Sequence, residues 1–219
     1  YAAVSANMEM ALAIVSSLPI ICAELQSGWH PGAPAFLWRQ RLWQRMFPRL
    51  QAYMATSGAA GATTATKSSR IRYLLSICGL AAHMPFALIA EHVDVIATSS
   101  IEALIKLTVD YNGDLESECS AGCLSQCLQT LHLVATSDLS ILSEHLNTAV
   151  PLLLMLAQQS PRAKNRALAL ACMQDAGALP HSRLHPLRKT VLRGLSKIFN
   201  DKKRAVRKLA ADTRETWSV

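Results

Sequence analysis

Aromatic residues are scarce: Phe, Trp and Tyr together make up 5% of the 219 positions. Strands draw on aromatic and β-branched side chains, whereas the apolar half of this chain is spent largely on Ala, Leu and Met, which favour helices. The composition therefore reads as all-α. The short motifs of catalysis are missing too: no glycine-rich phosphate loop, no Gly-x-Ser-x-Gly elbow and no pair of acids in an apolar frame occurs. Neither an enzyme nor a cofactor is expected. Long apolar runs are also absent. Met10 to Ala23 falls short of the roughly 20 residues a membrane span needs, and the charge-free stretch from Cys119 to Ser137 is interrupted by Ser, Gln, Thr and His. No transmembrane helix and no membrane partner are expected. With no secretory signal and no regular long-range spacing, the six cysteines read as reduced thiols of a protein of the cytoplasm or nucleus. The chain opens without Met, on Tyr1-Ala2-Ala3-Val4, as a piece of a longer protein would.

What is present is charge, unevenly placed. The formal net charge is +7, and residues 181–219 hold eleven of the 22 Lys and Arg against three acids, Asp201, Asp212 and Glu215. Such a gradient attracts anionic partners over long range without saying whether they are nucleic acids, lipids or acidic protein surfaces.

Helical periodicity recurs along the chain. It predicts helices over 2–17, 36–55, 68–83, 86–108, 115–135, 139–158, 161–176, 183–199 and 201–216, with Leu153 between packed helices. The small-residue segment Ser57-Gly58-Ala59-Ala60-Gly61-Ala62-Thr63-Thr64-Ala65-Thr66 reads as part of a flexible loop over 57–67. Connections of a few residues from residue 84 onward imply antiparallel neighbours. The segments repeat: Phe86-Ala87-Leu88-Ile89-Ala90-Glu91-His92 lines up with Leu139-Ser140-Ile141-Leu142-Ser143-Glu144-His145, and Asn165-Arg166-Ala167-Leu168-Ala169 with Val206-Arg207-Lys208-Leu209-Ala210. A helix pair recurring every 40 to 50 residues marks a HEAT-type solenoid, in which each repeat buries its apolar face against its neighbours. About four and a half pairs fit, forming one armadillo-like superhelical domain over 1–219. Asp201 precedes Arg207 by six residues, as in the HEAT consensus that links successive repeats. Arg166 keeps the basic partner, but Ser160 stands where its acid would be.

Several constellations have plainer readings. Cys119, Cys123 and Cys127 at i, i+4, i+8 suggest a metal, yet thiols spread over two turns of one helix converge poorly, and small buried thiols suit tight contacts between repeats. No metal site is expected. His92 and His145 occupy equivalent repeat positions and read as helix-surface or loop-facing residues. In Phe36 to Phe47 the aromatic and basic residues could stack on bases and hold phosphates. Their spacing fits an amphipathic helix better, with Leu42, Met46 and Leu50 flanked by Trp43 and Phe47 inside and Arg41, Arg45 and Arg49 outside. In helix 201–216, Ala205, Val206, Leu209, Ala210, Thr213 and Trp217 form the inner side. Lys202, Lys203, Arg204, Lys208 and Arg214 surround it, as on the polar outer face of a terminal repeat, with Asp201 capping its start.

The run Asp201-Lys202-Lys203-Arg204-Ala205-Val206-Arg207-Lys208, followed by Glu215-Thr216-Trp217, resembles the carboxy-terminal end of the MMS-nineteen family. Ser160-Pro161 with Arg166-Ala167 and Cys172-Met173, and Arg39-Gln40-Arg41 ahead of Pro48 and Leu50, occupy similar places upstream. The chain departs from the family at the 57–66 insertion, at Asn165 where Val is usual, and at Glu118-Cys119-Ser120-Ala121, where the helix start is usually more apolar. The resemblance implies a non-enzymatic HEAT-repeat scaffold of the cytosolic iron-sulfur cluster assembly targeting complex. It would join a WD-repeat subunit and a small partner subunit and recruit client enzymes such as DNA helicases, primase and polymerases. Lys202, Lys203, Arg204 and Lys208 are the expected partner contacts, and Asp201, Arg207 and Arg166 the expected structural links. The competing reading is a HEAT domain that binds nucleic acid through the same basic face; direct contact with nucleic acid is not the expectation.

Overall fold

The structure is a computed structural model, and it describes residues 10, 13, 17, 35–58, 64–109 and 118–218. Nine α-helices and one 3-10 turn occupy the continuous stretches among the described residues, and no strand occurs there. α1 runs over Ala35–Gly58, α2 over Thr64–Ala82, α3 over Phe86–Ile89, α4 over Val93–Val109 and α5 over Glu118–Ser137. α6 spans Leu139–Gln159, α7 Ala163–Gly177, α8 His181–Ile198 and α9 Arg204–Ser218. The local chemistry of the breaks is legible. Asp138 ends α5 and starts α6, its carboxylate accepting the Ser140 N–H at 2.9 Å, which satisfies an orphan amide of the first turn. Pro85 and Pro180 stand immediately before α3 and α8, where a missing N–H costs nothing.

Most boundaries fall within a few residues of expectation. Of the segment 57–67, α1 takes in Ser57 and Gly58 and α2 begins at Thr64, while 59–63 lie outside the described residues. The helix expected near 2–17 also lies outside them, apart from residues 10, 13 and 17. The expected single helix over 86–108 is broken by a 3-10 turn at Ala90–His92. That turn sets the His92 ring 4.6 Å from Phe47 and 6.0 Å from Trp43. His145 approaches Thr98 Oγ1 at 3.3 Å. Both histidines are half-buried at the surface, and each touches a neighbouring helix.

The helices pack as pairs: α1 with α2, α4 with α5, α6 with α7 and α8 with α9. α4, α6 and α8 are successive neighbours in one layer, and α2, α5, α7 and α9 in the other. This is an all-α solenoid arrangement, four pairs long among the described residues. One apolar cluster runs along the stack from Ile71 in α2 to Trp217 in α9, and a second joins α1 to α2, α3 and α4 through Trp43, Phe47, Ile77, Ile89 and Ile96. No pair could bury its faces alone. Leu153 is fully buried, as its spacing requires. α6 is the one helix among the described residues long and apolar enough to cross a membrane. It is flanked by α4, α7 and α8 and buries Leu142, Leu146, Leu153 and Leu156 among others, so its apolarity serves the core.

The second layer is stitched by side chains that reach backward to main-chain carbonyls. Thr130 Oγ1 in α5 donates to Cys78 O in α2 at 2.9 Å, and Asn165 Nδ2 in α7 donates to Ala121 O in α5 at 2.9 Å. Trp217 Nε1 in α9 donates to Met173 O in α7 at 2.8 Å. A carbonyl already engaged within its helix keeps a second lone pair, which makes these bonds available. The last two span 44 residues each, the length of one repeat.

In the first layer α8 approaches α6 closely at Gly194. A Cβ there would lie 2.4 Å from Leu154 Cδ2 and 2.9 Å from its Cγ. Gly194→Ala should raise helix propensity by about 1 kcal/mol, but Leu154 is buried and cannot clear its Cγ without moving α6. We expect a net loss of about 1–2 kcal/mol in urea unfolding. An unchanged or higher midpoint would mean that α8 can move outward freely.

Candidate functional site

The turn between α8 and α9 gathers the residues that the sequence singles out. Asp201 Oδ1 accepts the Lys203 N–H at 2.8 Å, closing the turn. Its carboxylate also receives a bidentate fork from Arg166, Nε to Oδ2 at 2.7 Å and Nη2 to Oδ1 at 3.0 Å. Arg166 Nη1 donates in addition to Ser160 O at 2.8 Å and Pro161 O at 2.9 Å. Arg207 Nη1 donates to the main-chain carbonyl of Asp201 at 2.6 Å. The link expected between Asp201 and Arg207 therefore exists, but not as a carboxylate pair: the carboxylate belongs to Arg166 of the preceding helix pair. Both arginines reach a carbonyl six residues earlier, which explains the shared spacing. Burial alone would push the Asp201 carboxyl up, yet hydrogen bonds from Arg166 and the Lys203 N–H and the charges of Arg166 and Arg207 hold it below its ordinary range.

The basic residues of the α8–α9 pair divide into engaged and available. Arg188 donates to Ser218 O, tying α8 to the end of α9. Arg214 lies 5.5 Å from the centre of the Phe199 ring. Lys202, Lys203, Arg204 and Lys208 are exposed, as expected. Lys202 and Lys203 line a cleft of about 530 Å³, together with Arg166 and Asp201, whereas Arg204 and Lys208 do not. The other wall comes from Ala157, Gln158, Pro161 and Ala163 of the preceding pair. Lys197 also lines the cleft and was not among the expected contacts. Its signal was weak, because it belongs to α8 and meets Lys202 and Lys203 only through the turn. On α9, Val206, Ala210, Thr213 and Trp217 are buried and Leu209 partly so, but Ala205 is exposed, which corrects the expected inner face.

Elsewhere the suggestive residues have structural partners. In α1 the buried face is Trp43, Phe47 and Leu50, while Met46 is 41% exposed, so the expected face is rotated. The cause is the stack of Trp43 on Phe47 at 4.3 Å and its contact with His92, which uses the rings that could have served as platforms for bases. Arg41, Arg45 and Arg49 do lie outside. Cys123 and Cys127 are buried, and Cys78 Sγ lies 3.3 Å from Ser100 Oγ. Hydrogen bonding with Cys78 and burial push the Cys127 thiol up, and burial does the same to Cys172. Buried and held protonated, the Cys127 and Cys172 thiols are inert. Among the described residues no group of three His, Cys, Asp or Glu is placed to hold a metal ion.

Two links between repeats escaped the sequence reading. Arg70 of α2 forks onto Glu102 of α4 at 2.5 and 2.7 Å and also donates to Met54 O. His132 Nδ1 of α5 lies 2.6 Å from Asp175 Oδ2 of α7, a bond that raises the imidazole pKa.

Comparison with known proteins bears on these elements. A family model, MMS19_C, described as "RNAPII transcription regulator C-terminal", matches residues 9–175. The chain is 41% identical to the human "MMS19 nucleotide excision repair protein homolog" over 91 residues, which is 42% of this chain and 8% of that protein. It is 27% identical to the Schizosaccharomyces pombe "DNA repair/transcription protein mms19" over 195 residues, 84% of this chain and 16% of that protein. The Arabidopsis thaliana "MMS19 nucleotide excision repair protein homolog" is 24% identical over 182 residues, 83% of this chain and 15% of that protein. The chain thus spans less than a fifth of the length of these relatives.

Proposed function

The chain belongs to the MMS19 family, in its C-terminal region, and from that premise we propose that it is a non-enzymatic adaptor of DNA repair and transcription. In this reading it scaffolds the cytosolic iron-sulfur assembly targeting complex, holds the WD-repeat and small partner subunits, and presents apo client enzymes of DNA replication and repair to them. It would do so in the cytoplasm and nucleus. The mechanism is positional. A stack of helix pairs offers a long surface that is ordered before the partner arrives, so little conformational entropy is lost on binding. Complementary charge then raises the rate of encounter and fixes register more than it adds affinity.

The observation that carries the reading is the set of available cations at the α8–α9 end: Lys197, Lys202 and Lys203 at the cleft, with Arg204 and Lys208 beside it. The competing reading, a nucleic-acid-binding solenoid, has the same charge, but the Trp43 and Phe47 rings are buried and not free to stack on bases. A pull-down with the WD-repeat and small subunits tests the proposal. The wild-type chain should retain both subunits, and the triple variant K202E/K203E/R204E, checked for folding by circular dichroism, should lose at least about tenfold of the retained material. A wild type that holds duplex DNA instead, with a log-log salt slope of roughly 0.9 per phosphate neutralised, would sink the adaptor reading.

A further inference from the structure

α8 has no acidic residue in its 18 positions. Arg188 is engaged by Ser218 and Arg183 lies in the first turn, while Lys189, Arg193 and Lys197 form an exposed row at i, i+4 and i+8. None of the three meets a carboxylate among the described residues. The helical rise puts about 6 Å between successive members and about 12 Å between the ends of the row. The row leads directly into the cleft, because Lys197 lines it and Lys202 and Lys203 face it across the turn. The positions beside it, Thr190 and Ser196, are exposed and polar, so no apolar ridge is offered to a partner helix.

We infer that the Lys189–Arg193–Lys197 row and the adjoining cleft bind an extended acidic peptide segment of a partner protein, with carboxylates on alternate residues. This deepens the adaptor reading and rests on it for its biological partner. In an extended chain, residues i and i+2 point to the same side about 6.6 Å apart, close to the spacing of the basic row. About four residues therefore span from Lys189 to Lys197. The next acidic residue enters the cleft between Lys197, Lys202 and Lys203, where the Arg166–Asp201 pair is already neutralised and does not repel it as a lone carboxylate would. A single-stranded nucleic acid has phosphates at a comparable spacing, but nothing along this row stacks on bases: Trp217 is buried and Phe199 lies under Arg214.

Fluorescence anisotropy on the 219-residue chain decides the matter. The probes are a fluorescein-labelled peptide alternating Glu and Ala, the same composition with Glu at every fourth position to suit a helix, and a thymidine oligonucleotide of equal charge. The alternating peptide should bind most tightly. R193E/K197E should weaken it by at least about tenfold, and R41E/R45E on the exposed side of α1 by less than about threefold. Both variants change exposed side chains and should give melting curves that superimpose on wild type. Equal losses from the two variants would reduce the effect to net charge, and tighter binding of the oligonucleotide would make the row a phosphate surface; either result overturns the inference, as does failure of the alternating peptide to bind. If R193E/K197E still retains the WD-repeat and small subunits in a pull-down, the inference fails while the adaptor reading stands. If the alternating peptide binds as described but wild type retains no subunit, the adaptor reading fails and the site stands.

Discussion

Replacing Trp217 with alanine should cost about 3–5 kcal/mol of stability, the range for removing a large buried aromatic side chain. Trp217 is 1% exposed and closes the far end of the apolar cluster that runs along the stack. Its indole N–H is spent on Met173 O, so the substitution leaves a cavity and an unmet link to α7 together. The site has little room to collapse. Gly177 is packed so closely that an added Cβ would lie 2.9 Å from Trp217 Nε1 and 2.8 Å from Thr216 Cγ2, which shows why no side chain stands there. Trp217→Phe separates the two contributions: it keeps most of the apolar volume and loses the hydrogen bond, worth about 0.5–1.5 kcal/mol. Urea unfolding followed by far-ultraviolet circular dichroism measures both. A midpoint for W217A within error of wild type would mean that α9 does not dock through this ring.

The second large effect concerns the ion pair beneath the cleft. The side chains of Arg166 and Asp201 are only 12% and 10% exposed, so Asp201→Ala leaves a largely buried guanidinium without its counter-charge. Breaking such a pair by removing one partner costs about 3–5 kcal/mol when fully buried, and we expect the lower end here. The double variant R166A/D201A should be less destabilised than the sum of the singles, because it removes both charges. Acid gives an independent check. The folded-state pKa of Asp201 lies below its unfolded value, about 3.9. The stability it contributes is present above that value and is lost as pH falls through the folded pKa. The difference between wild type and Asp201→Asn should therefore stay level from neutral pH down to about 5 and shrink below about 4. A difference that persists undiminished at pH 3 would assign the effect to shape and not to charge.

The order of helices and their pairing were legible because apolar periodicity and short connections act locally. The Asp201 and Arg207 spacing was also real, but the sequence shows only separations within one chain segment. It cannot show that the carboxylate turns toward Arg166, 35 residues earlier, while Arg207 takes a carbonyl. The rotated face of α1 has a similar origin. A helical wheel admits both Met46 and Trp43, and the choice falls to the His92 ring delivered by the 3-10 turn between α3 and α4. Lys197 was missed for the same reason, since its neighbours at the cleft are set by the turn after α8. Local pattern carried the elements, and contacts between repeats decided which surface residues meet.

The cleft has one wall from α6, α7 and the turn between them and the other from the end of α8 and the turn that follows it. Neither half holds the shape by itself, so the site exists only while the two pairs are seated on each other. An occupant that bridges both walls is then also a clamp on the joint. It stabilises the seated state in proportion to the logarithm of its concentration over its Kd, and loosening of the joint releases it. Occupancy of this surface would in that way register whether the end of the stack is correctly assembled, coupling what is held there to the integrity of the scaffold that holds it.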